Sequence, residues 1–155
     1  MKSACWCGLE KTAFRAAWAG RFEAGQHILV IGAGPVGQMT VRWAACKGVD
    51  SLTVAAISSS RLELAVRGGA TQTICGDIEQ NIEEIHLINH GAGPSVVVDT
   101  TGNAEVFKHA LAAAGQFGKV ILLGDSGYPS RQCMSSNVMT KGLTIQATHD
   151  SHDRD

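Results

Sequence analysis

The sequence predicts an α/β domain: a doubly wound, mostly parallel six-stranded sheet with helices on both faces. Three observations predict it. Short runs rich in Val, Ile and Leu alternate with segments of helical period across short joins, the pattern of parallel strands linked by crossover helices. The first apolar run stops at glycines, in "LVIGAGPVGQMT", and a helical pattern follows at once. The fourth run, "PSVVVD", is dense in valine, as a strand covered on both faces should be.

The elements follow in order. "ACWCGLEKTAFRAAWAG" is compatible with a short helix from Glu10 to Ala19, stopped by Gly20. "QHILVI" places a compact strand at 27–31. Beyond the glycines, Val36, Met39, Trp43 and Cys46 recur at helical spacing and form one apolar stripe that ends at Gly48. "SLTVAAI" is a second strand, and "SSRLELAVRGG" a helix with a serine cap and a glycine stop. A weaker third strand lies at "TQTIC", before a helix around Ile78 to Ile88. After the valine run, Asn103 caps the helix "NAEVFKHALAAAG"; "GKVILLG" and "GLTIQAT" are the fifth and sixth strands. The expected organisation is a lead-in helix and linker over 1–25, one domain over 26–148 and a polar tail over 149–155.

Composition narrows the function classes. A chain of 155 residues can bury one sizeable core, and 45% hydrophobic with 17% charged residues is the balance of a folded domain. A formal net charge of -1 without a basic block argues against nucleic-acid binding, which needs clustered Lys and Arg. No apolar stretch reaches the length of a membrane span, and Met1 to Trp6 lacks the apolar core of a signal peptide. The five cysteines (Cys5, Cys7, Cys46, Cys75 and Cys133) lack the paired spacing of a disulfide framework. A reduced, cytoplasmic protein is expected.

The glycines at 32, 34 and 37 ask what comes close to the main chain there. In a strand–turn–helix setting the first permits a tight turn, and the second lets the backbone approach a pyrophosphate. The third lets the helix pack on the sheet. The helix beginning near Pro35 turns unpaired N–H groups and the positive end of its dipole toward the phosphates. The expected fold is thus a Rossmann fold, with a dinucleotide or related cofactor in the crevice at the strand ends "IGAG" and "VVVDTTGN"; the competing reading is a glycine-rich turn of purely steric value.

The anchors "GQHILVIGAGPVGQM", "SSSRLELAVRGGA", "HGAGPSVVVDTTGN", "GQFGKVILLGDSG" and "KGLTIQAT", in this order, resemble the coenzyme-binding domain of the medium-chain dehydrogenase/reductases, the zinc-type alcohol dehydrogenase family. The resemblance runs over nearly the whole chain. It implies hydride transfer between an alcohol or polyol, or a carbonyl, and NAD or NADP, with a catalytic zinc in many members. By position, it implies that Gly32, Gly34, Pro35, Val36 and Gly37 form the pyrophosphate loop and that Thr100 and Thr101 lie beside the coenzyme. Leu123, Gly124 and Asp125 match the turn at the nicotinamide end, and Leu143 to Ile145 the next strand. In family members that this chain resembles, a glycine pair follows that strand, where this chain has Gln146 and Ala147. Cys7 matches a late zinc ligand, and Thr12 a nearby threonine that contacts the nicotinamide and is the one catalytic candidate. The family carries its other zinc-binding cysteine and histidine on an N-terminal catalytic domain, so zinc is expected only where that domain is supplied. Cys7 is then either a ligand in a longer parent or a small structural residue. This chain alone is expected to be catalytically incomplete.

The end of the second strand bears on cofactor choice. An acidic residue there would hold the adenosine ribose diol and repel a 2′-phosphate. Ala56 stands in its place, with Ser58, Ser59 and Arg61 just beyond, which leans the reading toward NADP over NAD. Arg61 also admits a ribose contact or a plain surface role.

Other features draw structural readings. His149, His152 and the acidic residues around them read as a solvated tail, His109 as a surface residue, and Asp77, Glu83 and Glu84 as solvated faces. Asp99 is expected to cap a turn or face the crevice. Met134, Val138 and Met139 suit either core packing or a homodimer contact. Two alternatives accompany the enzyme reading. One is a non-catalytic nucleotide-binding or dimerisation module. The other, an S-adenosylmethionine methyltransferase, is disfavoured by "GAGPVG" followed by "GKVILLG" and by the missing acid at strand two.

Overall fold

Each apolar run becomes one strand of a single sheet in the computed structural model, which describes residues 4–124, 127, 131–132 and 134–148, with side chains from residue 8 onward. The strands are β1 (His27–Ile31), β2 (Ser51–Ala56), β3 (Gln72–Cys75), β4 (Val96–Asp99), β5 (Lys119–Leu122) and β6 (Thr144–Ala147). They stand in the order β3-β2-β1-β4-β5-β6, and every neighbouring pair is parallel. The helices are α1 (Ala4–Gly20), α2 (Pro35–Cys46), α3 (Ser59–Arg67), α4 (Ile82–His86) and α5 (Ala104–Ala113).

The two-residue period of a strand sends alternate side chains to opposite faces, and here both faces are covered. Ile28, Val30, Val54, Val96 and Val98 pack under α1, α2 and α3 through Ala16, Ala17, Val41, Ala44, Leu62 and Ala65. Leu29, Ile31, Val97 and Val120 pack under α4 and α5 through Ile85, Ala110 and Leu111. The valine run of β4 is buried at all four positions, as its composition predicts.

Some elements differ from expectation for identifiable reasons. α1 begins at Ala4 rather than Glu10 and is read too short because its buried face is made of alanines, Ala13, Ala16 and Ala17, a weak periodic signal. Conversely, the helix expected around Ile78 to Ile88 shrinks to Ile82–His86. Ile78, Ile85 and Ile88 are all buried, but turns at both ends supply the outer two; Asn89 and His90 end the segment at positive φ. Ser58 occupies the N-cap position of α3 without a side-chain cap bond, its hydroxyl lying instead 3.2 Å from Ser60 Oγ. Asn103 does cap α5, accepting from the Glu105 N–H at 3.0 Å. His109 is only 15% exposed, 3.8 Å from Glu79, rather than free on the surface. A π-helical turn over Met134–Met139 had no sequence signal.

That turn leads into the edge strand β6, which is tied down by Lys141. Its ammonium donates to the Ala112 and Ala114 carbonyls at 2.5 and 2.9 Å, filling acceptors left open at the end of α5. Burial holds the Lys141 pKa below the usual lysine range.

The turn from β1 into α2 is fixed by contact. Gly32 has φ +96°, and a Cβ there would stand 2.6 Å from Thr100 Oγ1. A Cβ on Gly37 would overlap the Gly32 carbonyl oxygen. At Gly34 a Cβ would meet nothing within 4 Å. Gly37→Ala is therefore expected to destabilise the domain by about 1–3 kcal/mol, the usual cost of forcing atoms into a packed site. Gly34→Ala should cost less than about 1 kcal/mol, the loss of a favourable N-cap glycine. Urea unfolding of the two variants followed by circular dichroism checks the contrast; equal losses would contradict it.

Candidate functional site

The strand order reverses at β1, whose neighbours are β2 on one side and β4 on the other. The chain leaves β1 for α2 on one face of the sheet and leaves β4 for α5 on the other. Such a parting of connections opens a crevice at the carboxyl ends of the strands. A cavity of about 560 Å³ lies there, within the usual size of a small-molecule site. Gly32 and Gly34 form its floor, Ala56 and Ser58 the β2 side, Thr100 and Thr101 the β4 side, and Arg61 one rim.

The floor is built by a clamp. Thr100 donates through its hydroxyl to the Ile31 carbonyl at 2.8 Å and through its backbone N–H to the same oxygen at 3.0 Å. The β1 turn is thereby held to β4. α2 then starts with Pro35, and its first turn carries no acidic residue. The N–H groups at the start of a helix lack intrahelical partners and carry positive partial charge, which here faces the crevice beside Gly34. The bare surface at Gly34, whose backbone has the ordinary φ of -71°, leaves a ligand room to touch main chain. Steric need within the protein does not account for that missing side chain.

Asp99 ends β4 and is buried, 3% exposed. Its Oδ1 accepts from the Thr101 N–H at 2.9 Å and the Thr101 hydroxyl at 2.7 Å, so the carboxylate caps the turn. Burial raises its pKa above the usual carboxylate value, against the smaller lowering effect of the two Thr101 bonds.

The structure brings Gly32, Gly34, Ala56, Ser58, Arg61, Thr100 and Thr101 together around the crevice. Pro35 borders an adjoining groove. Val36 and Gly37 lie in the first turn of α2 and support the floor from behind. Leu123 and Gly124 follow β5, where a Cβ on Gly124 would run into the Gly102 backbone, so the β5 turn packs directly on the β4 turn. Thr12 lies in α1, its hydroxyl donating back to the Gly8 carbonyl at 3.1 Å, and it does not line the crevice. Asp125, the side chain of Cys7 and the tail histidines lie outside the described residues. Among the described residues no three His, Cys, Asp or Glu side chains are grouped to hold a metal ion, so these residues by themselves do not make a zinc site. Sequence reasoning missed Gln38 and Arg42, one face of α2 beyond the loop; their spacing of four residues was the available signal.

The sequence profile of a family described as "Zinc-binding dehydrogenase" matches residues 35–153. The chain belongs to the zinc-binding dehydrogenase family. Curated relatives include an L-threonine 3-dehydrogenase of Chromobacterium violaceum, 33% identical over 129 residues, and the sorbitol dehydrogenase of Bacillus subtilis, 33% identical over 118. The matches cover 81% and 76% of this chain but only 36% and 33% of those proteins, so the chain spans about a third of the length of the curated relatives it matches. Among solved structures, an oxidoreductase/dehydrogenase of unknown specificity from Escherichia coli superposes with a TM-score of 0.86 at 26% identity, covering 95% of this chain and 42% of that one. The alcohol dehydrogenase TADH from Thermus sp. ATN1 gives 0.82 at 27% identity, covering 91% and 40%. Within this zinc-binding dehydrogenase family the chain has the predicted Rossmann fold, a nucleotide-binding architecture. No helix among the described residues is long and apolar enough to cross a membrane.

The buried Asp99 generates a signed prediction. Its native pKa is raised, so the folded state binds the proton more tightly than the unfolded chain. Its contribution to stability is greatest below the unfolded value of 3.8 and falls as pH rises through the native pKa. Asp99→Asn keeps an acceptor oxygen for both Thr101 donors and removes the buried charge. The variant's melting temperature minus that of the wild type should be larger at pH 7 than near pH 3; the reverse order contradicts the assignment.

Proposed function

We propose that this chain binds NADP in preference to NAD, extended across the crevice with its pyrophosphate on the main chain of Gly32, Gly34, Pro35, Val36 and Gly37. The observation that carries the reading is the open space over Gly34 at the start of α2, between two glycines that the fold itself requires. Thr100 and Thr101 flank the cofactor, and Leu123, Gly124 and Asp125 serve its nicotinamide end. The lean to NADP rests on the β2 end. Ala56 offers no carboxylate to a ribose diol, and Ser58 and Arg61 stand on the same side of the crevice. The Arg61 guanidinium forms no ion pair among the described residues, so it is available to a phosphate.

For the whole protein we propose hydride transfer between an alcohol or carbonyl and the nicotinamide, in keeping with relatives named for threonine and sorbitol. The nicotinamide supplies the hydride acceptor or donor. This chain's residues bind and orient it, and the substrate is placed and polarised elsewhere in the protein. Thr12, and zinc ligation by Cys7, belong to that larger proposal. Self-association belongs to it too, since Met134 and Met139 are exposed beside the edge strand β6. So does a cytoplasmic setting, which suits the free thiols of Cys46 and Cys75.

Titration of the purified chain with NADPH and NADH, read by nicotinamide fluorescence, tests binding and preference together. NADPH should bind with the lower Kd, and Gly34→Val should raise the Kd by roughly a hundredfold, about 2.7 kcal/mol, while the far-UV spectrum stays unchanged. Equal or tighter NADH binding overturns the preference. Retained affinity in the Gly34 variant overturns the placement of the pyrophosphate.

A further inference from the structure

A second concavity, about 480 Å³, runs between α2 and α3 and shares Ala33, Gly34 and Arg61 with the crevice. α2 presents Pro35, Gln38, Met39 and Arg42 to it, a set at helical spacing on one face, and α3 presents Arg61 and Leu64. The lining thus holds two arginines and no carboxylate.

Both cations are held without being neutralised. Gln38 Nε2 donates to the Ala33 carbonyl at 3.2 Å and the Arg61 carbonyl at 2.8 Å, bracing the first turn of α3 against the glycine loop. The backbone of Arg61 is thereby set at a fixed distance from Gly34. One turn further along α2, Arg42 Nη1 donates to the Gln38 carbonyl at 2.9 Å, which uses one of its five N–H donors. Neither guanidinium forms an ion pair among the described residues. Two uncompensated like charges along one groove make its potential positive, and a dianionic phosphate relieves the repulsion where a ribose hydroxyl does not.

We propose that the mouth of this groove receives the 2′-phosphate of the cofactor, with Arg42 as a second cation that sets NADP preference together with Arg61. The proposal rests on the NADP reading above and adds to it a specificity determinant on the helix after the glycine loop. Arg61 holds the phosphate from the crevice rim, and Arg42 adds its charge from the far wall.

The test measures NADPH and NADH affinity by nicotinamide fluorescence for the wild type, Arg42→Gln, Arg42→Lys and Arg61→Gln, over a range of salt concentrations. Arg42→Gln should weaken NADPH roughly fivefold, about 1 kcal/mol, with NADH affinity unchanged and a shallower salt dependence for NADPH alone. Arg42→Lys should recover most of the loss, because charge rather than a bidentate fork is what Arg42 contributes. Adenosine 2′-phosphate should displace NADPH more weakly from Arg42→Gln than from the wild type, while displacement by adenosine 5′-phosphate stays the same. Inorganic phosphate should compete more strongly with NADPH than with NADH, because only NADPH places a phosphate at the groove as well as at the glycine loop. An Arg42→Gln variant with the wild-type ratio of the two Kd values, beside an Arg61→Gln variant that loses it, overturns the role of Arg42 and leaves the NADP reading standing. A wild type that binds NADH as tightly as NADPH overturns that reading itself. Equal weakening of both cofactors in Arg42→Gln assigns Arg42 to the packing of α2 and also overturns the proposal.

Discussion

The close approach of α2 to the end of β1 is the contact on which the rest of the site depends. The Gly37 position lies against the Gly32 carbonyl with no room for a side chain, and Gly32 turns at positive φ under the Thr100 hydroxyl. Thr100 binds that turn to β4, whose Asp99 in turn holds Thr101. The chain from the glycine loop to the β4 turn is therefore one connected set of short contacts across the switch in strand order. Nothing in it is supplied by large apolar side chains. Its stability is borrowed from the sheet below, where Ile28, Val30 and Val98 are fully buried.

Electrostatics follow from the same arrangement. A carboxylate at the end of β4 would oppose an anionic ligand if it faced the crevice. Asp99 is instead turned inward, buried, and occupied by two donors from Thr101. The start of α2 brings partial positive charge without a nearby acid, and β2 ends in Ala56. Asp77 is the acidic side chain along the crevice lining, and it sits on the β3 side, exposed to water. The α2 end of the crevice is thus positive, although the whole chain carries a formal net charge of -1.

Legibility in the sequence tracks how local each cause is. The six strands are legible because their apolar runs are bounded by Gly, Pro and Asp, and the parallel order follows from the alternation with helices. Asn103 is legible as a cap because capping needs only the next few residues. α1 is not legible at full length, since an alanine face packs by close approach rather than by bulk. Of the three glycines, the spacing already assigns the turn to Gly32, ligand approach to Gly34 and helix packing to Gly37, but only the fold shows which atoms fill Gly32 and Gly37 and leave Gly34 bare. That distinction depends on Thr100, a residue 68 positions from Gly32 in the chain. The groove with Gln38 and Arg42 needs the packing of α3 on α2, which no local pattern specifies.

The division among the glycines also explains how one turn can serve both stability and binding. Substitution at Gly32 or Gly37 meets protein atoms, so selection for folding alone would keep them. At Gly34 folding exerts little such pressure, because the backbone is in an ordinary region and the space above is open. A nearby alternative such as Ser or Asp would cap α2 as well as glycine does or better. A bare N-cap therefore gives up a favourable side-chain bond at the helix start, and a ligand that brings its own acceptors to the same N–H groups compensates for it. A diphosphate resting there would do for α2 what Asn103 does for α5.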